Sequence, residues 1–230
     1  MSNGVSAPFS PPPQGDLVFV IPGAGNSPGL ESSVRQCVAK ERLPLTVEAF
    51  EWTHGNRRYL IDQIDYVHTR NKGRDLADRI AGHRQACPNA RIYLVSHSAG
   101  SAVVLAAAES LPPDSLTQIV LLAPAVSRES DLRCALRTSR DGIDSFISGR
   151  DRFVLGFVTD MIGTADRQGT MAAGRYGFRP LIASPEDAAL YDKLRQHPWD
   201  GCVAWTGNTG GHSGSYRPEY ICAYVLPLLR

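Results

Sequence analysis

Hydrophobic residues along the chain are grouped into short continuous runs that are rich in valine, isoleucine and leucine. Runs of this kind are typical of strands that are covered on both faces, as in a parallel sheet. Six segments are predicted as strands: 16–22, 45–52, 92–95, 118–124, 142–148 and 202–206. Because helical stretches separate them, the pattern predicts an α/β fold with about six mostly parallel strands flanked by helices.

The intervals between the strands carry apolar residues at helical spacing. The predicted helices are 30–42, 59–86 with a break at Lys72-Gly73, 99–111, 130–138, 184–196 and 215–230. Residues 1–15 are predicted to form an extended tail, and 16–230 a single domain without a separate cap domain. Glycines interrupt the pattern across 156–184, so this segment is predicted to be irregular and to line a site.

One strand-to-helix junction carries a candidate nucleophile. The strand at 92–95 runs into Ser96-His-Ser-Ala-Gly100, and an alanine-rich helix follows. A serine at the tip of such a sharp turn has its hydroxyl exposed, and the residues two before and two after it must be small. Ser96 stands where the Gly-x-Ser-x-Gly pattern has its first glycine. The alternative is an ordinary turn in which Ser96 or Ser98 caps the helix.

A glycine-rich loop, Gly23-Ala24-Gly25, directly follows the first predicted strand. It does not fit a phosphate loop, because no Gly-Lys-Ser/Thr follows it, and it lacks the third glycine of a dinucleotide site. We expect the Ala24 N–H to face the candidate serine, Ser98, as a donor to an oxyanion, with the Gly25 N–H as a second candidate donor. Gly25 is also a candidate substrate contact. A plain tight turn is the alternative.

A serine hydroxyl needs a base to take its proton, and the base needs a carboxylate to hold it in the right tautomer. Asp151 and His212 each follow a predicted strand, as Ser98 does. Because the carboxyl ends of parallel strands meet at one edge of a sheet, we expect the three side chains to lie together. Asp160 and Asp166 remain open as alternative acids, whereas Asp144 lies inside a strand and is disfavoured.

The other histidines compete less well for the role of base. His97 is held away from Ser98 by the turn, so we expect it to pack beside the site or to contact substrate. His54 follows a strand and precedes a glycine, which makes it a candidate substrate contact. The remaining histidines are predicted to lie on the surface: His68, His83 and His197.

These motifs resemble those of the α/β-hydrolase family of esterases and lipases, over about residues 16–230. The segments that carry the resemblance are Pro22-Gly-Ala-Gly25, Val95-Ser-His-Ser-Ala-Gly100, Ser148-Gly-Arg-Asp-Arg-Phe-Val154 and Gly210-Gly-His-Ser-Gly214. The resemblance implies an acyl-enzyme on Ser98, an oxyanion hole formed by the N–H groups of Ala24 and Ala99, no metal and no organic cofactor. It also implies that the domain begins at the family's third strand.

Composition, charge and cysteine spacing exclude several classes of partner and site. The net charge is +1 and the basic residues are scattered, which argues against nucleic acid. No apolar run is long enough to span a membrane, and the first 14 residues do not resemble a secretory signal. The 5 cysteines are far apart, so we expect reduced thiols in a cytoplasmic protein and no zinc site.

The function expected from the sequence is therefore a serine hydrolase that acts on small-molecule carboxylic esters. Two other classes stay open. The fold also serves as a catalytically silent binding module, because fold alone does not determine function. An acyltransferase or an amidase would use the same three residues with another acceptor or another substrate.

Overall fold

The central layer of the protein is a six-stranded parallel sheet. The computed structural model describes residues 15–151, 164–166 and 171–230. The strands are β1 Asp16–Ile21, β2 Leu45–Ala49, β3 Ile92–His97, β4 Gln118–Leu122, β5 Ile143–Ile147 and β6 Leu194–Pro198. They are ordered β2-β1-β3-β4-β5-β6, and every neighbouring pair is parallel. The fold class predicted from the sequence is confirmed.

Both faces of the sheet are buried, which explains the continuous apolar runs. Side chains alternate along β1: Leu17, Phe19 and Ile21 belong to one core cluster, whereas Val18 and Val20 belong to the other. Successive side chains of a strand point to opposite faces, so both sets must be apolar when both faces are covered.

Helices form the outer layers. They are α1 Gly29–Lys40, α2 Tyr59–Ile64, α3 Tyr66–Ala86, α4 Gly100–Ala108, α5 Arg133–Thr138, α6 Ala173–Tyr176, α7 Pro185–Tyr191 and α8 Pro218–Tyr220. The first core cluster lies between the sheet and α3, α4 and α5. The second lies between the sheet and α1 together with the end of the chain. None of the described helices is long and apolar enough to cross a membrane.

The sixth strand is not where the sequence pattern predicts it. Residues 202–206 belong to a 3₁₀ helix, Gly201–Thr206, and the strand that pairs with β5 is β6. The helix predicted for 184–196 is correspondingly short and ends at Tyr191. Polar side chains dominate β6, because it is an edge strand with only one neighbour.

Two helical predictions also need correction. The break in 59–86 falls at Asp65, whose side chain accepts a hydrogen bond from the His68 N–H and caps α3. Gly73 lies within α3, where a Cβ would be 2.5 Å from the Ala106 side chain, so this glycine permits close packing on α4. The segment predicted as one closing helix, 215–230, is a separate 3₁₀ turn followed by short helical turns of different kinds. Pro218 stands at the start of α8, where no N–H is needed, and Pro227 lacks the N–H that a continuous α-helix would need.

The prediction that all cysteines are reduced is wrong. A disulfide joins Cys37 of α1 to Cys222, close to the end of the chain. The other three cysteines are not part of a disulfide: Cys87, Cys134 and Cys202. Disulfides are more typical of oxidising compartments than of the cytosol. The cytoplasmic location stays a prediction that the structure does not test.

Some predictions fall partly outside the described residues. Of the segment 156–184, the structure describes 164–166 and 171–184, which include α6. The proposed site-lining role of the rest of that segment, and the extended tail predicted for 1–15, lie outside the description apart from Gly15. The boundaries of the domain therefore stay as predicted from the sequence.

Candidate active site

The turn between β3 and α4 is strained at its central serine. Ser98 has a φ of 52°, in the left-handed region that residues with a Cβ seldom adopt. Its own N–H donates to the Leu122 carbonyl on the neighbouring strand at 3.0 Å, which anchors the tip of the turn to the sheet. Strain of this kind is typical of a serine whose hydroxyl is presented above the carboxyl edge of the sheet.

Small residues surround that serine for steric reasons. A Cβ on Gly100 would lie 2.4 Å from the Pro22 carbonyl oxygen, so the elbow and the loop after β1 touch backbone to backbone. At the other end of the turn, Ser96 is fully buried and its hydroxyl lies 3.1 Å from that of Ser101. A serine therefore fits where the sequence pattern has glycine, because its hydroxyl has a partner.

The structure brings the three candidate side chains together. The Ser98 Oγ lies 2.9 Å from His212 Nε2, and His212 Nδ1 lies 2.6 Å from Asp151 Oδ2. The Asp151 and Ser98 residues are buried, whereas the His212 side chain retains 15% exposure. This arrangement lets Nδ1–H donate to the carboxylate while Nε2 is free to accept the serine proton.

The loops that carry the acid and the base are tied to each other. Ser148 Oγ, just after β5, donates to the Gly210 carbonyl at 2.6 Å. The Gly210 N–H in turn donates to Asn208 Oδ1 at 3.0 Å, and the Trp199 indole N–H donates to the Asn208 carbonyl at 2.9 Å. The guanidinium of Arg150 lies over the Trp199 ring at 4.3 Å. These contacts fix the separation between the two loops.

His97 supports the base rather than replacing it. Its Nε2 lies 3.0 Å from the His212 carbonyl oxygen and donates to it, and the two rings are 4.6 Å apart. Burial, together with the neighbouring His212 ring, lowers the pKa of His97 to about 3, so it stays neutral near pH 7. On its other side, a Cβ on Gly23 would lie 2.9 Å from His97 Nδ1. His97 thus lies between the loop after β1 and the loop of the base.

The candidate oxyanion donors lie on either side of the serine. Ala24 follows Gly23, and Gly23 lies so close to Ser98 that a Cβ on it would be 3.2 Å from the Ser98 Cβ. Ala99 is the next residue after Ser98. Within the part of the chain that the structure describes, neither the Ala24 N–H nor the Ala99 N–H has an acceptor among the backbone and side-chain hydrogen bonds. Gly25 differs, because its N–H donates to Asp62 Oδ2 at 2.7 Å. Its role as a substrate contact stays a prediction.

His54 is held by acidic side chains. Its Nδ1 lies 2.9 Å from Asp62 Oδ1 and its Nε2 3.3 Å from Asp65 Oδ2, while its ring lies 4.0 Å from that of His68. The role of His54 as a substrate contact stays a prediction. Asp62 is the residue that the sequence analysis missed, and its only signal was an acid inside the apolar stretch Tyr59–Ile64.

The rival residues are engaged elsewhere. Asp144 is buried and paired with Arg195 and His197, and Asp166 accepts from the Ser127 N–H at 3.0 Å. Asp160 lies outside the described residues.

The prediction that the other histidines are surface residues is only partly correct. His83 is buried, and its Nε2 lies 2.9 Å from the Gly15 carbonyl oxygen. His197 is a strand residue with a half-exposed side chain that binds the Asp144 carboxylate. His68 contacts the Trp52 carbonyl at 2.5 Å. Each of these three histidines therefore has a structural partner away from Ser98.

A cavity of about 600 Å³ opens beside the loop after β1. Its walls include Gly25, Phe50, Arg57 and Tyr59, so it combines apolar and polar surfaces. Volumes of this size are usual for small-molecule sites. Among the described residues, no group of three or more His, Cys, Asp or Glu side chains is arranged to hold a metal ion.

No family model matches the sequence, and no curated protein matches it. Solved structures match in fold at low identity. A Trichoderma reesei cutinase in complex with a phosphonate inhibitor is 15% identical, with a TM-score of 0.44. The match covers 94% of this chain and 76% of the cutinase chain. The catalytic core domain of an acetyl xylan esterase from Trichoderma reesei is 12% identical, with a TM-score of 0.46 and coverages of 93% and 96%. A cutinase-like protein from Cryptococcus sp. is 12% identical, with a TM-score of 0.48 and coverages of 93% and 95%.

Proposed function

We propose that the protein is a serine hydrolase that cleaves carboxylic esters through an acyl-enzyme on Ser98. The observation that carries this proposal is the contact chain from Ser98 Oγ to His212 Nε2 at 2.9 Å and from His212 Nδ1 to Asp151 at 2.6 Å. A serine held at a positive φ and joined to a carboxylate through a histidine has the parts that an activated nucleophile needs.

In the first half-reaction, Ser98 Oγ attacks the ester carbonyl carbon and its proton passes to His212 Nε2. The carbonyl electrons move onto oxygen, and the N–H groups of Ala24 and Ala99 donate to this oxyanion, each contributing about 3 kcal/mol in comparable enzymes. The oxyanion then collapses, the bond to the alcohol breaks, and the departing oxygen takes the proton from His212. Asp151 stabilises the transient imidazolium.

In the second half-reaction, a water molecule takes the place of the alcohol. It gives a proton to His212, attacks the acyl carbon, and the proton then returns to Ser98 as the acid leaves. Because His97 is neutral, its ring adds no positive charge that would oppose the charging of His212. The helix α4 begins directly behind Ser98, and the positive end of its dipole favours the developing anion.

The decisive experiment is labelling with a fluorophosphonate followed by peptide mass spectrometry. We expect one adduct on Ser98, no adduct in Ser98→Ala, and normal labelling in Ser110→Ala, which changes an exposed serine at the end of α4. Hydrolysis of p-nitrophenyl esters of increasing chain length then defines the acyl group. A folded protein that is never labelled would refute the proposal and favour a binding module.

The same preparation separates the other reactions. An acyltransferase would transfer the acyl group to an added alcohol faster than to water, and an amidase would cleave the matching anilide at a rate comparable to that of the ester. Hydrolysis that is insensitive to added alcohols and much faster for esters is the result that we expect.

A further inference from the structure

Helix α2 has its polar and apolar faces reversed. Its buried residues are Asp62, at 1% exposure, and Gln63, whereas Tyr59, Leu60 and Ile61 are 56%, 57% and 38% exposed. A helix on the surface of a domain normally turns its apolar side chains inward. Burying a carboxylate instead is costly unless several donors satisfy it, so the reversal must be explained by what Asp62 binds.

Asp62 binds two segments that flank the proposed site. Its Oδ2 accepts from the Gly25 N–H at 2.7 Å, and its Oδ1 accepts from the His54 N–H at 2.8 Å and faces His54 Nδ1 at 2.9 Å. Hydrogen bonds from backbone N–H groups to a carboxylate are among the stronger ones in proteins. A single buried side chain therefore joins the loop after β1 to the loop after β2.

The orientation of the carboxylate is itself controlled. His54 lies between Asp62 and Asp65, with its Nε2 3.3 Å from Asp65 Oδ2. Its ring lies 4.0 Å from that of His68, whose Nε2 contacts the Trp52 carbonyl. With both nitrogens of His54 facing acids, the carboxylate of Asp62 has little freedom to rotate away from Gly25.

The hydrogen bond to Gly25 fixes the peptide plane next to the proposed oxyanion donor. Gly25 has a φ of 77°, and a Cβ there would lie 2.3 Å from the Tyr59 ring, so the loop is sharply turned and covered by α2. Rotation about the backbone bonds of Gly25 could change the orientation of the Ala24–Gly25 peptide, because glycine has few steric restrictions. The hydrogen bond to Asp62 restricts this rotation. A displacement of about 1 Å at a reacting group costs about 100-fold in rate.

We propose that Asp62 is a positioning residue for the loop after β1, which carries the proposed oxyanion donor Ala24. We also propose that the polar side of α2 faces inward because it carries this carboxylate. Asp62 touches neither Ser98 nor His212, and it acts through Gly25 on the direction of the Ala24 N–H. This inference rests on the proposed function, since it assigns Ala24 to the oxyanion hole of that reaction.

The test compares Asp62→Asn with Asp78→Asn. The first replaces a carboxylate that accepts from two N–H groups by an amide whose NH₂ must face one of them. The second makes the same chemical change at an exposed aspartate of α3 that takes no part in holding the loop. We expect kcat per labelled Ser98 to fall by about 10- to 100-fold in Asp62→Asn, with KM within about twofold, and to stay within about twofold in Asp78→Asn.

A second measurement does not depend on catalysis. In ¹⁵N-labelled protein, the Gly25 amide should resonate further downfield and exchange more slowly in the wild type than in Asp62→Asn. If Asp62→Asn does not fold, His54→Leu keeps the carboxylate but removes the side chain that orients it. It should lower kcat by a smaller factor and also shift the Gly25 amide, which the loss of a substrate contact would not do.

The outcomes separate the two proposals. An unlabelled Ser98 in the folded wild type refutes the proposed function, and the Gly25 amide still reports whether Asp62 holds the loop. A Gly25 amide that is the same in both proteins overturns the inference. So does a perturbed amide with unchanged kcat, and so does an equal loss of kcat in Asp62→Asn and Asp78→Asn, which would indicate general destabilisation.

Discussion

Replacing His97 should change how the stability of the protein depends on pH. Burial lowers the pKa of His97 to about 3, from an ordinary value of 6.5. The folded protein therefore binds fewer protons at this position than the unfolded chain between these two values, and stability must rise with pH there. As the pH falls below 6.5, His97 takes up a proton in the unfolded chain but stays neutral in the folded protein.

The magnitude follows from the two pKa values. Between pH 7 and pH 5 the His97 contribution should lower the free energy of unfolding by about 2 kcal/mol, from about 1.4 kcal/mol per pH unit. At pH 7, His97→Leu loses the hydrogen bond to the His212 carbonyl, and an unsatisfied buried carbonyl costs about 1–3 kcal/mol. The two effects oppose each other, so the wild type and His97→Leu should approach equal stability near pH 5.

The assay is urea denaturation at pH 7, 6 and 5. His97→Gln is the matched control, because glutamine retains an N–H donor near the position of Nε2 but does not titrate. It should therefore be closer to the wild type at pH 7 and should share the weaker pH dependence of His97→Leu. If all three proteins lose the same stability between pH 7 and pH 5, His97 is not a neutral buried group and the reasoning fails.

Three further substitutions test other parts of the structure. Gly100→Ala should cost about 1–3 kcal/mol and lower ester hydrolysis, because its Cβ would lie 2.4 Å from the backbone oxygen of Pro22; denaturation and initial rates measure both. Cys222→Ser removes the disulfide to Cys37 and should lower the free energy of unfolding by about 2–5 kcal/mol, a loss that a reductant reproduces in the wild type alone. Burial raises the pKa of Asp144, but the hydrogen bonds from His197 and Arg195 on β6 lower it by more, so the pKa lies below its ordinary value of 3.8. The carboxylate of Asp144 therefore stabilises the fold fully above pH 3.8, and this stabilisation is lost as the pH falls through the pKa of the folded protein. Acid unfolding of Asp144→Asn should show a weaker pH dependence below pH 4 than that of the wild type.

The sequence predicts most of the sheet because burial on both faces leaves an unmistakable pattern. β1, β3 and β4 are continuous apolar runs, and each is recovered at nearly its observed bounds. β6 was missed because it contains Leu194-Arg-Gln-His-Pro198, and its pairing with β5 is supported by polar contacts to Asp144. A strand that is specified by an ion pair at the sheet edge leaves no hydrophobic signal.

The candidate site was predictable to the extent that it depends on motif order. Ser98, Asp151 and His212 follow strands whose carboxyl ends meet, so their proximity follows from the topology. Asp62 and the pairing of Cys37 with Cys222 could not be predicted in this way. Both depend on which loops and helices meet in three dimensions, across separations of 37 residues for Asp62 and Gly25 and 185 for the cysteines.

The bond between Cys37 and Cys222 turns most of the chain into a closed covalent ring. Ser98, Asp151 and His212 all lie on this ring, as do five of the six strands. A single backbone cut anywhere between the two cysteines therefore opens the ring without releasing a fragment. The nicked protein would keep its mass until it is reduced, and the residues proposed to react together would remain parts of one molecule.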